Sequence, residues 1–265
     1  MVRVVALVYI FRQIAVLGNF LMFRLLAALV LAQLVVVPLA RASCDLSQIN
    51  KSVARSISGI QFDRVRASPV KGLCEATIDT RVFYVSEDGK YLFAGNLVSL
   101  QDGRNLTARA TGKLTKRYIA HLDKSNMLIV GPRHPKRTLT VFTDVDCPYC
   151  ARLHDEVPDL VRHGVRVRYL LYPRTGPGTQ SYWRAVAVWC SKDPMKAMGI
   201  ANRGGSLPMK RCVNPVRANF LLGQKLDISG TPTIFTDDGT RINGYLPAKD
   251  LLTELGISDT SVSQN

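Results

Sequence analysis

The chain has 265 residues, 47% of them hydrophobic, and 35 Lys and Arg against 20 Asp and Glu, a net charge of +15. A chain of this length holds two modest domains or one large one. The basic residues are scattered among acids with no run of five or six, which argues against nucleic acid and for a solvated basic surface with some attraction for acidic partners.

Residues 1–42 carry four arginines and no acid. An apolar run from Leu25 to Leu39 follows Arg24, and Ala40-Arg41-Ala42 puts small residues at the two positions a signal peptidase reads. The preceding "VVALVYIFRQIAVLGNFL" makes this leader long, and a start at Met22 gives one of ordinary length. The rival is a membrane anchor, but a span wants about 20 uninterrupted apolar residues, and Arg12 and Arg24 break the region. A lipoprotein signal ending at Cys44 is weak, because Arg41 stands where such a signal wants an aliphatic residue. The expectation is export with cleavage, leaving 31 Lys and Arg against 20 Asp and Glu. All six cysteines, at 44, 74, 147, 150, 190 and 212, follow the leader. An even number in an oxidising compartment implies disulfides, and spacing alone leaves every pairing open.

Residues 43–105 read as a small α+β unit. "LSQINKSVARSI" has apolar residues at 46, 49, 53 and 57, a helical stripe. "RVFYVSEDGKYLFAGNLVSL" gives two β-rich runs around Glu87-Asp88-Gly89-Lys90, a hairpin signal. The unit has no histidine, and about sixty residues is marginal for independent stability, so a disulfide or a partner chain would help. Residues 106–135 read as a polar helical linker ending in "GPRHPKR", where Gly131, Pro132 and Pro135 break regular structure. Beyond it, "TLTVFTDV" predicts a strand, the following residues a helix to about Leu160, and "VRVRYLLYP" a second strand, so this is a βαβ unit. A helical region extends to about Leu222. "TPTIFTDDGTRINGY" then predicts a hairpin, and "PAKDLLTEL" a helix that Pro247 can start.

"TDVDCPYCARLHDE" carries the chemistry. A C-x-x-C pair can hold zinc, brace the fold or exchange electrons. Structural zinc sites need four ligands and usually pair two such knuckles. The remaining cysteines of this domain are too widely spaced for a second knuckle. His154 could face the same side of the helix, but it reads better as a solvated surface histidine. No metal is expected. Cys147 falls where strand becomes helix, and Pro148 suits the first helical position because its missing N–H is not needed there. A thiol at that position feels the unpaired N–H groups and the positive end of the helix dipole, which favour thiolate. Cys150, one turn inside, should be more buried and should attack a mixed disulfide to release substrate. The redox reading is the better one.

The stretches "TVFTDVDCPYCARLHDE", "GVRVRYLLYPRTG", "VWCSKDP" and "CVNPVRANFLLGQKLDISGTPTIFTDDGTRINGY", with "YVSEDGKYLFAGNLVSL" before them, resemble the DsbC/DsbG family of disulfide isomerases. The likeness covers essentially all of the chain after the leader and is nearest the DsbC-like branch. It implies a thioredoxin-like catalytic domain with a helical insert at 136–258 and a flexible tail at 259–265. Before these it implies a cystatin-like dimerisation domain at 43–105 and the helical linker. It implies that Cys147 is the nucleophile and Cys150 its partner, that Pro148 and Tyr149 tune the pair, and that Pro232 is a cis-proline. Thr231 before it would offer backbone to an extended substrate segment. It implies a structural disulfide between Cys190 and Cys212. Cys44 and Cys74 depart from the pattern and are read as a bond bracing the small domain. Pro148-Tyr149 is a DsbG-like feature.

The expected function is a periplasmic, homodimeric thiol:disulfide isomerase acting on misfolded disulfide-containing exported proteins. It needs no cofactor, and an inner-membrane reductase of the DsbD type keeps the pair reduced. The rivals are a DsbG-like reductase protecting single oxidised cysteines, a net oxidase, and a holdase chaperone with incidental thiols.

Overall fold

The computed structural model describes residues 44–258. The expected signal peptide, the start at Met22 and the tail at 259–265 lie outside the described residues. Two sheets organise the rest: a four-stranded antiparallel sheet and a five-stranded mixed one. No helix among the described residues is long and apolar enough to cross a membrane.

The first unit begins with helix α1, Leu46–Ser56, whose start is capped by the Asp45 carboxylate accepting from Gln48 N at 2.7 Å. Strands β1 (Arg64–Ala67), β2 (Leu73–Ile78), β3 (Arg81–Ser86) and β4 (Leu92–Phe93) follow and pair in that order. The expected hairpin is β3–β4, closed by a turn with Gly89 at φ 70°. Strands β1 and β2 were not legible, because "RVRA" and "LCEATI" put charged and small residues where alternation would show. Residues 94–100, expected as strand, contribute only an isolated bridge from Val98 to Asn105. Ile49 and Val53 of α1 pack with Phe62, Cys74, Ala76 and Val85. Leu46 and Ile57 are exposed, so the buried stripe is narrower than the sequence implies.

Helix α2, Leu106–Ala120, is capped by Asn105 Oδ1 accepting from Ala108 N at 2.8 Å. It serves both sheets. Ala110 packs with Val82 and Tyr84 of the small sheet, where Tyr84 Oη and Thr107 Oγ1 share a hydrogen bond at 2.8 Å. One end later, Ile119 packs with Phe142 and Leu170 of the large sheet. The stretch expected to be all linker also contains β5 (Leu128–Val130), antiparallel to the large sheet's β7. Three residues are too few for a periodicity.

The second unit continues with β6 (Arg137–Thr143), α3 (Pro148–Arg162) and β7 (Val165–Leu171). Strands β6 and β7 are parallel with Val141 opposite Tyr169, as a βαβ crossover requires. Helices α4 (Gln180–Trp189), α5 (Pro194–Asn202) and α6 (Val216–Lys225) form the insert, and β8 (Thr233–Thr236), β9 (Arg241–Asn243) and α7 (Ala248–Glu254) complete the domain. The sheet order is β5-β7-β6-β8-β9. Alternation along the strands splits the core. Val141, Tyr169 and Ile234 join Leu153, Val157 and Leu160 of α3, and Phe142, Leu170 and Phe235 face Ile119 and Leu226.

Besides the packing of Ile119, two contacts tie this domain to the small sheet and α2. Lys225 Nζ of α6 meets Asp79 of the small sheet at 2.9 Å. The β8–β9 turn abuts α2 at Gly112: a Cβ added to Gly239, whose φ is 96°, would lie 2.0 Å from the Gly112 carbonyl oxygen.

Candidate active site

Cys147 is the N-cap of α3, and Pro148 occupies the first helical turn. At the helices just described, Asp45 and Asn105 supply oxygens that accept a backbone N–H. Cys147 makes no such cap bond, so the unpaired N–H groups at this helix mouth surround a sulfur. The turn is held from below: Cys147 N donates to the Asp144 carbonyl at 3.1 Å. Cys150 lies one turn in, with Asp144 N donating to its Sγ at 3.5 Å. Both thiols are free and buried, with 3% of Cys147 and 1% of Cys150 exposed. Cys150 is the more enclosed of the two, as the sequence implies, and the sulfurs are separated further by what surrounds them.

The Cys147 thiol is lowered from a cysteine's ordinary 9.0 to about 5. The largest cause is a hydrogen bond from the Cys150 thiol. Burial opposes it, and Thr231 and the backbone N–H groups of Cys150 and Tyr149 add to the lowering. Cys150 moves the other way: burial comes first, and the proton it shares with Cys147 holds its thiol far above the ordinary range. One sulfur is thus prepared as a thiolate and the other as its proton donor.

Across from Cys147, the Thr231–Pro232 peptide bond is cis. When protonated, Cys147 Sγ donates to the Thr231 carbonyl at 3.2 Å, so the proline loop faces this sulfur. Tyr149 is 54% exposed and stacks on Tyr245 with centroids 6.5 Å apart, while the Arg152 guanidinium lies 5.5 Å from the Tyr149 ring centre. Tyr245 is held in turn by its hydroxyl donating to Glu156 of α3. This aromatic wall was half legible, Tyr149 by its place in the pair and Tyr245 not at all.

The sequence reading missed Asp144, Arg174 and Ser181. The Asp144 side chain is buried and accepts from Asp146 N at 2.9 Å, Ser181 Oγ at 2.7 Å, and Arg174 N and Nε at 3.0 Å each. A carboxylate closing a buried strand three residues before Cys147 was the available signal. His154 corrects an expectation, since it is not a solvated surface residue. Its ring is partly buried against Tyr169, with centroids 6.1 Å apart, and burial lowers its pKa below the ordinary 6.5. Its Nδ1 has no hydrogen-bond partner. Among the described residues, no three His, Cys, Asp or Glu side chains gather as a metal group.

The remaining cysteines are bonded, Cys44 to Cys74 and Cys190 to Cys212. Cys190 is the C-cap of α4, so its bond fixes the far end of the helix that Ser181 begins.

Comparison with known proteins agrees with this geometry. Residues 125–256 match the family model of a thioredoxin-like domain, and residues 40–108 that of the disulfide bond isomerase protein N-terminal domain. The thiol:disulfide interchange protein DsbC of Dickeya dadantii is 33% identical over 221 residues, 83% of this chain and 91% of that protein. The DsbC of Haemophilus influenzae is 34% identical over 223 residues, 84% and 95% of the two chains. The chain belongs to the DsbC family. A solved disulfide interchange protein from Neisseria gonorrhoeae is 27% identical, with a TM-score of 0.45 over 51% of this chain and 96% of that one. As a DsbC-family member the chain is a thiol:disulfide interchange enzyme, and the thioredoxin-like match contains both free cysteines and the cis-proline loop.

Proposed function

We propose that this protein is a periplasmic, homodimeric disulfide isomerase whose nucleophile is Cys147. Its thiolate attacks a substrate disulfide, forming a mixed disulfide and releasing the other substrate sulfur as a thiolate. A second substrate thiolate then displaces Cys147, which rearranges the bond with no net change in oxidation state. Alternatively Cys150 gives up its proton, attacks Cys147 Sγ and leaves the substrate reduced by two electrons. The enzyme then needs those electrons back, the role assigned to a DsbD-type membrane reductase. Thr231 and Pro232 hold the attacked segment as an added strand, and Pro148 and Tyr149 set the properties of the pair. The bonds at Cys44–Cys74 and Cys190–Cys212 brace the two units.

The observation that carries this reading is the opposed environment of two sulfurs a single turn apart, one lowered to about 5 and the other raised. For the dimer, support comes from the small sheet. Tyr91 and Phe93 at the β4 edge and Leu100 beyond it are 64%, 52% and 97% exposed, large apolar groups on a unit whose own core is small. Export is supported by two disulfides among the described residues.

The test is recovery of activity in a substrate with scrambled disulfides. Cys147→Ala should abolish recovery, and Cys150→Ala should retain part of it while accumulating mixed disulfides. Full recovery with Cys147→Ala would make the protein a chaperone with incidental thiols.

A further inference from the structure

The insert is joined to the redox turn by more than packing. Asp144 closes β6 and directs its whole side chain away from solvent. One carboxylate oxygen accepts from Ser181 Oγ at the start of α4 and from Asp146 N; the other accepts from the backbone and guanidinium of Arg174, in the loop between β7 and α4. Four donors fill the acceptor capacity of a carboxylate. The main chain of the same residue contacts both cysteines, its carbonyl accepting from Cys147 N and its N–H reaching Cys150 Sγ. A second strap runs beside it. Arg184, one turn further along α4, pairs with Asp146 at 3.0 Å and donates to the Ala201 carbonyl at the end of α5 at 2.7 Å.

We propose that the helical insert tunes the redox centre through Asp144, with Ser181 and Arg174 as positioning residues that hold the Cys147 turn in its thiolate-binding geometry. This rests on Cys147 being the nucleophile. The physical case is one of tolerance. The N–H groups of Tyr149 and Cys150 stabilise the sulfur only while they point at it, and hydrogen bonds weaken steeply with misalignment. The turn between β6 and α3 has no disulfide of its own when the enzyme is reduced, so its shape in that state depends on what grips it from outside. The grip comes from α4, whose other end is pinned by Cys190–Cys212. Arg174 adds charge to position: its guanidinium is held against burial by Asp144 and is favoured also by the Cys147 thiolate, and the attraction is mutual.

The charged and titratable groups around Cys147 are Cys150 on α3, Asp144 and Asp146 in the turn, Arg174 in the loop after β7, and Arg184 on α4. Changing Asp144 would mix charge with geometry, so the decisive variant is neutral. Ser181→Ala leaves every charge in place and removes one strap. The Cys147 titration is followed by thiolate absorbance, and the dithiol–disulfide equilibrium is measured against glutathione. Ser181→Ala should raise the Cys147 pKa by about half a unit and favour the disulfide ~3-fold. Ser181→Thr, which restores a hydroxyl, should return both toward wild type. Arg174→Gln should move both further in the same direction, since it removes a cation as well. A brace with no influence on the thiol would lower the unfolding midpoint of Ser181→Ala and leave its titration and equilibrium unchanged, and that result overturns the proposal. A wild-type protein with no thiolate near pH 5 would instead overturn the assignment of Cys147, so the two failures are separable.

Discussion

The two sheets solve the problem of burial differently. The five-stranded sheet is covered on both faces, and Val141, Tyr169, Ile234, Phe142 and Leu170 are all essentially inaccessible. The four-stranded sheet carries α1 on one face and the first turns of α2 on the other, but its main cluster holds only Ile49, Val53, Phe62, Cys74, Ala76 and Val85. One of those six is half of a disulfide. A small core leaves little surplus over chain entropy, so this unit depends on a crosslink and on whatever covers Tyr91, Phe93 and Leu100. The large domain has enough burial to enclose two free thiols as well as its own disulfide.

The contrast can be broken most severely at the exposed apolar edge. Replacing Phe93 and Leu100 together with Asp should convert the proposed dimer to monomer in sedimentation, with reduction of small disulfides retained and isomerisation of proteins largely lost. A dimer that survives the double change would place the interface elsewhere.

The disulfides come next. In the chain-entropy model, loops of these lengths each contribute about 3 to 4 kcal/mol. Nearly equal energies should have unequal results. Cys44→Ala with Cys74→Ala should unfold the small unit at ordinary temperature, seen as lost amide protection in β1 to β4. Cys190→Ala with Cys212→Ala should only lower the midpoint of the large domain. Equal outcomes would show that core size is not what separates the two.

The open pair makes a prediction in pH. With Cys147 at about 5 in the native reduced state and 9.0 as the ordinary value, unfolding between these limits takes up a proton. Stability of the reduced form therefore rises with pH across that window, is complete above it, and is lost as pH falls through about 5. Cys150, raised by burial, acts only above its ordinary value and in the opposite direction. Alkylation of Cys147 should accordingly be fast and flat from about pH 6 to 8 and fall away below about 5. Urea midpoints of wild type and Cys147→Ser, compared across the same range, check the stability half.

The smallest effect concerns His154. Burial lowers its pKa, so below 6.5 the unfolded chain takes up a proton that the native one refuses, and stability declines. His154→Leu should flatten that decline by about 1 kcal/mol or less, measured as the slope of the midpoint with pH rather than its absolute value.

Most of the large domain was readable because its strands are long and apolar and its turns carry Gly or Pro. The pair at Cys147 and Cys150 was readable because it sits at a strand-to-helix junction. What escaped has physical reasons. Strands β1 and β5 are short, and β2 spends its inward positions on Cys74 and Ala76, which a hydrophobic period does not weigh heavily. His154 falls beside the buried stripe of α3, four residues after Cys150, but a histidine there does not read as core; the packing of Tyr169 and the closeness of Gly199, where a Cβ would lie 3.3 Å from its Nε2, enclose it. Asp144, Arg174 and Ser181 are separated by up to 37 residues, and their meeting depends on how the insert folds back.

The meeting of Gly112 and Gly239 sets a limit on how this sequence can vary. At Gly59, Gly72 and Gly103 a side chain could be added into open space, but here the hairpin tip rides directly on the backbone of α2. A methyl group at 239 has no rotamer to escape into, because Cβ itself is what collides, and the positive φ already disfavours it. Relief could come only by rolling the five-stranded sheet away from the helix. That would stretch the Lys225–Asp79 pair and uncover Phe235 and Leu226, which line the cleft below. The missing side chain at Gly239 therefore acts as the bearing on which the catalytic half leans, and the smallest substitution there would reach the whole arm.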